Sequence, residues 1–152
     1  VSGGMSKVFC WKGDVSVEQG EDPFLGFWRE YHLCTLASPR PGGGIHQVPV
    51  GVTYDPERFL ARVITFASSY KARNVREHPG VRVSVCQVDG RRWSTLEGTA
   101  TVTDEPEAVA EAERRYGERY RVPRPNPERV VIEIAVDRVL GNVRPEREGV
   151  VP

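Results

Sequence analysis

From residue 31 onward, apolar and polar positions alternate in short runs broken by turns rich in Pro and Gly. The alternation predicts strands at 31–37, 45–54, 59–66, 81–88, 92–102 and 130–140. Val81, Val83 and Val85 against Arg82 and Ser84 give a half-buried pattern. Ser38-Pro39-Arg40-Pro41-Gly42-Gly43-Gly44 and Asp55-Pro56-Glu57 read as turns, because Pro fixes φ and Gly admits positive φ. Asp89-Gly90 is a hairpin signal. Phe24, Leu25, Phe27, Trp28 and Tyr31 form the apolar stripe of a short first helix. Residues 70–78 predict a second, ended by Pro79-Gly80. A third starts with Asp104 as cap, Pro106 in the first turn and Glu107 completing a capping box. Its apolar face is Val109, Ala112, Tyr116 and Tyr120, and the Pro123-Arg124-Pro125-Asn126-Pro127 run stops it.

These elements predict a mainly β fold of six antiparallel strands and two or three short helices, closed into a barrel that hides its strand edges. The barrel domain is placed at 23–145. Residues 1–22 are polar and lack a clear period, so they read as an N-terminal extension of flexible type, with Phe9 and Trp11 as its anchors. Val1 to Gly4 precede Met5 and are left out of the fold reasoning; 146–152 form a C-terminal tail.

Composition narrows the function classes. Lys plus Arg and Asp plus Glu are 21 each, so bulk charge gives no affinity for nucleic acid. Cys10, Cys34 and Cys86 are odd in number and form no CxxC pair, so neither a zinc site nor a disulfide framework is indicated. No apolar run approaches the ~20 residues of a membrane span, and the first residues lack a signal-type apolar core. Reduced thiols and a cytoplasmic location are expected. His32, His46 and His78 have no metal-ligand spacing, and no metal is predicted. No GxSxG, P-loop, GxGxxG or HExxH motif is present. Chemistry carried by a bound cofactor fits this inventory better than a hydrolytic triad.

Three stretches could hold such a cofactor. In the second strand, Val48, Val50, Val52 and Tyr54 share one face, and Gln47, Pro49, Gly51 and Thr53 the other. Pro49 cannot donate to a ladder and implies an edge or bulge, and Gly51 bares backbone against which a flat ring can lie. A tight barrel corner explains the same residues. Ser68-Ser69-Tyr70-Lys71-Ala72-Arg73-Asn74 sets two hydroxyls and a Lys at a helix start, a recipe for an anion or simply a cap with solvated basic side chains. Arg62, on the preceding strand, either faces the same anion or faces solvent. The hairpin tip Gln87 to Trp93 carries Arg91, Arg92 and an aromatic that suits a planar ligand, or is a charged turn. Arg119, Arg121 and Arg124 surround the Pro-rich loop, where they meet an acidic ligand or solvent.

Taken in order, the stretches resemble one family. They are His32-Leu33-Cys34-Thr35-Leu36, His46-Gln47-Val48-Pro49-Val50-Gly51-Val52-Thr53-Tyr54-Asp55-Pro56, Ala61-Arg62-Val63-Ile64-Thr65, Lys71-Ala72-Arg73-Asn74, Gln87 to Trp93, Leu96-Glu97-Gly98, Arg114-Arg115-Tyr116 and Arg121 to Glu133. The set, over 24–143, resembles the pyridoxamine 5′-phosphate oxidase-like split-barrel family, and within it the deazaflavin (coenzyme F420)-dependent reductases of the B class.

The resemblance implies a split β-barrel homodimer with cofactor sites at the subunit interface. It implies F420 with its ring against His46, Gln47, Val48, Pro49, Val50, Gly51 and Val52. The phosphate would sit near Ser68, Ser69 and Lys71, with Arg73 and Asn74 beside it. Arg62, Ile64 and Thr65 are further contacts, and Trp93 of the partner subunit with Arg121 and Arg124 closes the site. The implied reaction is hydride transfer from reduced deazaflavin to a conjugated acceptor, biliverdin being the one suggested. No catalytic residue is assigned; His46, an arginine or a held water are the candidates for the proton. Two alternatives stay open: an FMN-dependent enzyme on the same barrel, or a non-catalytic flavin- or tetrapyrrole-binding protein.

Overall fold

The computed structural model of the chain describes residues 5–10, 13–18 and 22–146. β1 (Met5–Cys10) and β2 (Gly13–Glu18) pair antiparallel as a separate ribbon, so the extension contains strand where its sequence shows no period. Anchoring by Phe9 and Trp11, and the tail beyond residue 146, lie outside the described residues. Asp22 then accepts the Phe24 amide at 2.9 Å and caps α1 (Pro23–Phe27), with Pro23 in its first turn. The helix is five residues long and does not reach Tyr31, but its stripe is used as expected: Phe24, Phe27 and Trp28 are buried.

Seven further strands follow: β3 (Cys34–Pro39), β4 (Ile45–Val50), β5 (Thr53–Asp55), β6 (Leu60–Phe66), β7 (Val81–Asp89), β8 (Arg92–Thr103) and β9 (Arg129–Gly141). α2 (Tyr70–Glu77) lies between β6 and β7, and α3 (Pro106–Arg119) between β8 and β9. The strands form one antiparallel sheet in the order β4-β3-β7-β8-β9-β6-β5. This corrects the expected count of six and the expected closure. The second predicted strand is two strands, broken at Gly51-Val52, and its halves lie on opposite edges of the sheet. No ladder joins those edges. The chain itself crosses from one to the other through two residues, so the sheet must curl until its edges meet. Pro49 stands on edge strand β4, opposite Thr35, where its missing N–H costs no inner ladder bond.

The curl encloses Leu36, Val52, Val63, Val85, Leu96, Ala100, Ile132 and Ile134, packed with Phe24, Phe27 and Trp28. The alternation on β7 runs Val83, Val85 and then Gln87, which is fully buried although polar. The capping box predicted for α3 does not form. Glu105 is the N-cap without a side-chain bond, and Thr103 Oγ1 instead accepts the Glu105 amide at 3.1 Å, which leaves Asp104 outside the helix. Among the described residues no helix is long and apolar enough to cross a membrane.

Where β8 bends, the register against β9 shifts between Glu97 and Gly98, and a Cβ on Gly98 would stand 2.0 Å from the Ala135 carbonyl oxygen. Backbone cannot give way as a side chain can. Gly98→Ala is therefore expected to lower the unfolding free energy by about 2 kcal/mol or more. Chemical denaturation measures it, and an unchanged midpoint contradicts the close approach.

Candidate functional site

The break in the curled sheet leaves backbone groups that no strand satisfies. Buried amides and carbonyls require partners, and the C-terminal end of α3 supplies them. The Tyr120 hydroxyl accepts the Val52 amide at 3.1 Å and donates to the His32 carbonyl at 2.7 Å. Arg119 donates from NH1 to the Val52 carbonyl at 2.6 Å and from Nε to the Glu30 carbonyl at 2.9 Å. Its NH2 donates to Gln87 Oε1, and Gln87 Nε2 donates in turn to the Phe27 carbonyl at 2.7 Å. The buried polar residue on β7 is thereby explained: Gln87 relays between α1 and Arg119. Burial draws the Arg119 guanidinium below its usual range and raises the Tyr120 hydroxyl above its own; Cys34, bonded to Gln87 Oε1 in the same pocket of the core, is pushed by burial to about 11.

Beyond Tyr120 the chain leaves the helix and forms one wall of a cavity of about 540 Å³. The opposite wall is the end of β4 with Gly51; Ile64, Lys71 and Tyr116 complete it, and Arg121, Pro123, Arg124, Pro125, Asn126 and Arg129 line the loop side. That volume falls in the range of small-molecule sites. Gly51 allows the walls to close on each other. A Cβ there would be 2.7 Å from Tyr116 Cε2 and 3.1 Å from Tyr120 Cε2, whose rings lie 4.9 Å apart. The bare backbone expected to face a flat ligand therefore also faces the rings of α3.

Four cationic side chains, Lys71, Arg121, Arg124 and Arg129, line the cavity, and no carboxylate does. Burial pulls the Lys71 ammonium below its ordinary range, with no ion-pair partner among the described residues. Arg129 donates from NH2 to the Arg124 carbonyl at 2.6 Å, while its buried Nε has no partner. An unmatched buried donor costs on the order of 1–3 kcal/mol. The donor set fits a phosphate- or carboxylate-bearing molecule.

Of the residues singled out in the sequence, Pro49, Val50, Gly51, Lys71, Arg121 and Arg124 come together around this cavity, with Ile64. The others lie elsewhere in this chain. Gln47 is exposed on the edge of β4, and Val48 packs against the core. Val52 is fully buried with both main-chain groups taken by Tyr120 and Arg119. Arg62 is buried against Asp55, 3.3 Å away, and Asp55 also holds Arg115 at 3.2 Å; the Arg62 Nε is buried without a partner, and the residue does not line the cavity. Thr65 donates to the Ser69 hydroxyl at 3.0 Å, and Ser69 caps α2 by accepting the Ala72 amide at 3.3 Å. Asn74 is turned inward and donates to the Pro39 carbonyl at 3.0 Å. Ser68 and Arg73 are exposed beside the cavity lining rather than in it. Trp93 sits on the β7–β8 hairpin, 41% exposed and away from the cavity.

His46 packs its ring 4.6 Å from the Tyr70 ring, with Nδ1 buried and unpartnered. Burial first, then the positive charges of Arg40 and Lys71, hold its imidazole below the usual value. Tyr116, Asn126 and Arg129 are lining residues that the sequence alone did not single out as ligands. Their signal was position: one turn before the helix end, and on both sides of the point where the Pro-rich loop becomes β9.

The profile of the pyridoxamine 5′-phosphate oxidase family matches residues 21–142. Over 121 residues the chain is 50% identical to the F420H(2)-dependent biliverdin reductase of Mycobacterium tuberculosis (strain CDC 1551 / Oshkosh), which covers 80% of this chain and 87% of that protein. Among solved structures, the conserved hypothetical protein Rv2991 from Mycobacterium tuberculosis matches with a TM-score of 0.67 at 27% identity, over 81% of this chain and 84% of that one. A structure described as an F420 reductase matches with a TM-score of 0.60 at 20% identity, over 82% and 98%, a likeness of fold. The curled antiparallel sheet and a match that spans nearly all of it make the chain a member of the pyridoxamine 5′-phosphate oxidase family.

Proposed function

We propose that this protein is an F420-dependent oxidoreductase that reduces a conjugated small-molecule acceptor. The observation that carries the reading is the cationic, carboxylate-free cavity against the free edge of β4, in a chain half identical to an F420H(2)-dependent reductase. When bound, the reduced deazaflavin would supply a hydride. The protein's own part is binding, orientation and proton handling. Lys71, at the first turn of α2, holds the phosphate, aided by that helix's N-terminal amides. The unpaired edge of β4 offers main-chain donors and acceptors to a planar ring, and Gly51 with Tyr116 sets how close the ring lies. Arg121, Arg124 and Arg129 gather carboxylates of the cofactor tail or the acceptor. Biliverdin, named for the mycobacterial relative, is the acceptor to test first. His46 stacks on Tyr70 outside the cavity lining and is given no step.

The same reading includes a homodimer. Leu33, Ile45, Val88 and Val122 are each more than half exposed, and Trp93 stands out from its hairpin. A second copy docked over the exposed Trp93 hairpin would bring a partner's hairpin toward the cavity and close it.

Titration of the purified protein with F420 and separately with FMN, followed by cofactor fluorescence, is expected to show the tighter affinity for F420. Lys71→Ala should weaken F420 binding by about tenfold or more, the loss of one charge-assisted bond. Preference for FMN would contradict the cofactor, and unchanged affinity in the variant would contradict the phosphate position. NMR titration of His46 should give a midpoint below the usual 6.5 or so. Because the folded value lies under the unfolded one, the stabilisation tied to neutral His46 is complete above that pH and is lost as pH falls through the folded value; a midpoint at or above the usual value refutes the assignment. Sedimentation at micromolar concentration should give the mass of a dimer, and a monomer would remove the shared site.

A further inference from the structure

We propose that Arg119 is the positioning residue of this cavity, a single buried guanidinium that sets the spacing between its two walls. The inference rests on the reading that the cavity takes F420, and adds a role for a residue that does not touch the ligand. Arg119 ends α3 and is 8% exposed. It carries a full charge into the interior yet bonds no carboxylate among the described residues; its three acceptors are neutral oxygens on three separate segments, Glu30, Val52 and Gln87. Simple ion pairing does not account for such a site. An ammonium's three donors radiate from one nitrogen, whereas the planar fork of arginine spreads its donors over three, and each of the three is used here.

The two connections of Arg119 that matter lie on either side of the cavity. Through the Val52 carbonyl it fixes the link that carries Gly51, Val50 and Pro49, which are one wall. Through the main chain it is two residues from Arg121 and five from Arg124, which are the other. Tyr120 doubles the connection by holding the Val52 amide and the His32 carbonyl. At its far end the arginine loop is tied separately: Arg129 holds the Arg124 carbonyl, and the Ala67 amide donates to the Glu128 carbonyl at 2.9 Å. Loosening Arg119 therefore frees the near end of the loop and the edge link together, while the ladder of the sheet stays intact. The expected consequence is that Arg124 is aimed correctly only when Arg119 is in place.

A double-mutant cycle tests this. Arg119→Lys keeps the charge and removes the fork; Tyr120→Phe loosens the same joint more gently and serves if the first variant folds poorly. Each is combined with Arg124→Ala, and F420 dissociation constants are measured for all forms. Arg119→Lys and Arg124→Ala should each weaken binding by about tenfold, and the pair should be little weaker than Arg119→Lys alone, since a misplaced Arg124 has nothing left to lose. Penalties that multiply in full, or an unchanged constant in Arg119→Lys, overturn the proposal, because a merely structural residue would not couple to one loop arginine. Tryptic cleavage after Arg121, which Val122 follows, gives a readout in the ligand-free protein that stands if F420 fails to bind the wild type; Arg124 precedes Pro125 and is not cut. Well below the unfolding temperature, cleavage should be several-fold faster in Arg119→Lys, and equal rates refute the clamp.

Discussion

The fold depends on how two residues, Gly51 and Val52, carry the chain across the gap between the edges of one sheet. A ladder there would have closed a barrel and left no opening. Instead the edges meet with unpaired main-chain groups, and α3 must reach over to satisfy them. Arg119 and Tyr120 do so with a charged fork and a hydroxyl that both accepts and donates. Because charged hydrogen bonds are worth on the order of 1.5–3 kcal/mol each, this joint fixes the shape locally where the sheet itself is not closed. It explains why a polar glutamine continues the buried face of β7, and why an arginine is tolerated inside.

The cavity is a by-product of the same joint. Once α3 is held against the gap, the segment that follows it can only run along the outside of β4 and return into β9. Its arginines then face Lys71 across a space that contains no acidic side chain. Like charges gathered without counterions are unfavourable in the free protein, and binding an anion relieves them. That electrostatic imbalance, rather than shape alone, makes the cavity suited to an anionic ligand. The same field adds to burial, the larger cause, in lowering His46, since Lys71 and Arg40 oppose a further positive charge near them.

Much of this was legible in the chain. Alternating Val81, Val83 and Val85, the Asp89-Gly90 turn and the Pro-rich stop after α3 each correspond to the element they announced. Pro49 announced an edge strand for the correct reason, its missing donor. What local pattern cannot express is which neighbour a strand takes. Residues 45–54 read as one strand because their alternation is continuous, yet partners on opposite edges divide them. The candidate site divides the same way. Lys71, Gly51 and the loop arginines were visible as chemistry, whereas Arg62, Ser69, Thr65 and Asn74 carry the same functional groups and spend them on Asp55, a helix cap and the Pro39 carbonyl. Arg129 drew no notice as a ligand, since an arginine opening a strand has no signature until the cavity is seen.

A crystal structure of the protein with F420 bound tests the central claim most directly. The account predicts the cofactor phosphate at Lys71, the ring along the edge of β4 beside Gly51, and Arg119 still joined to Val52 and Gln87. A cofactor bound away from β4 and Lys71, with the cationic cavity left to solvent, would contradict it.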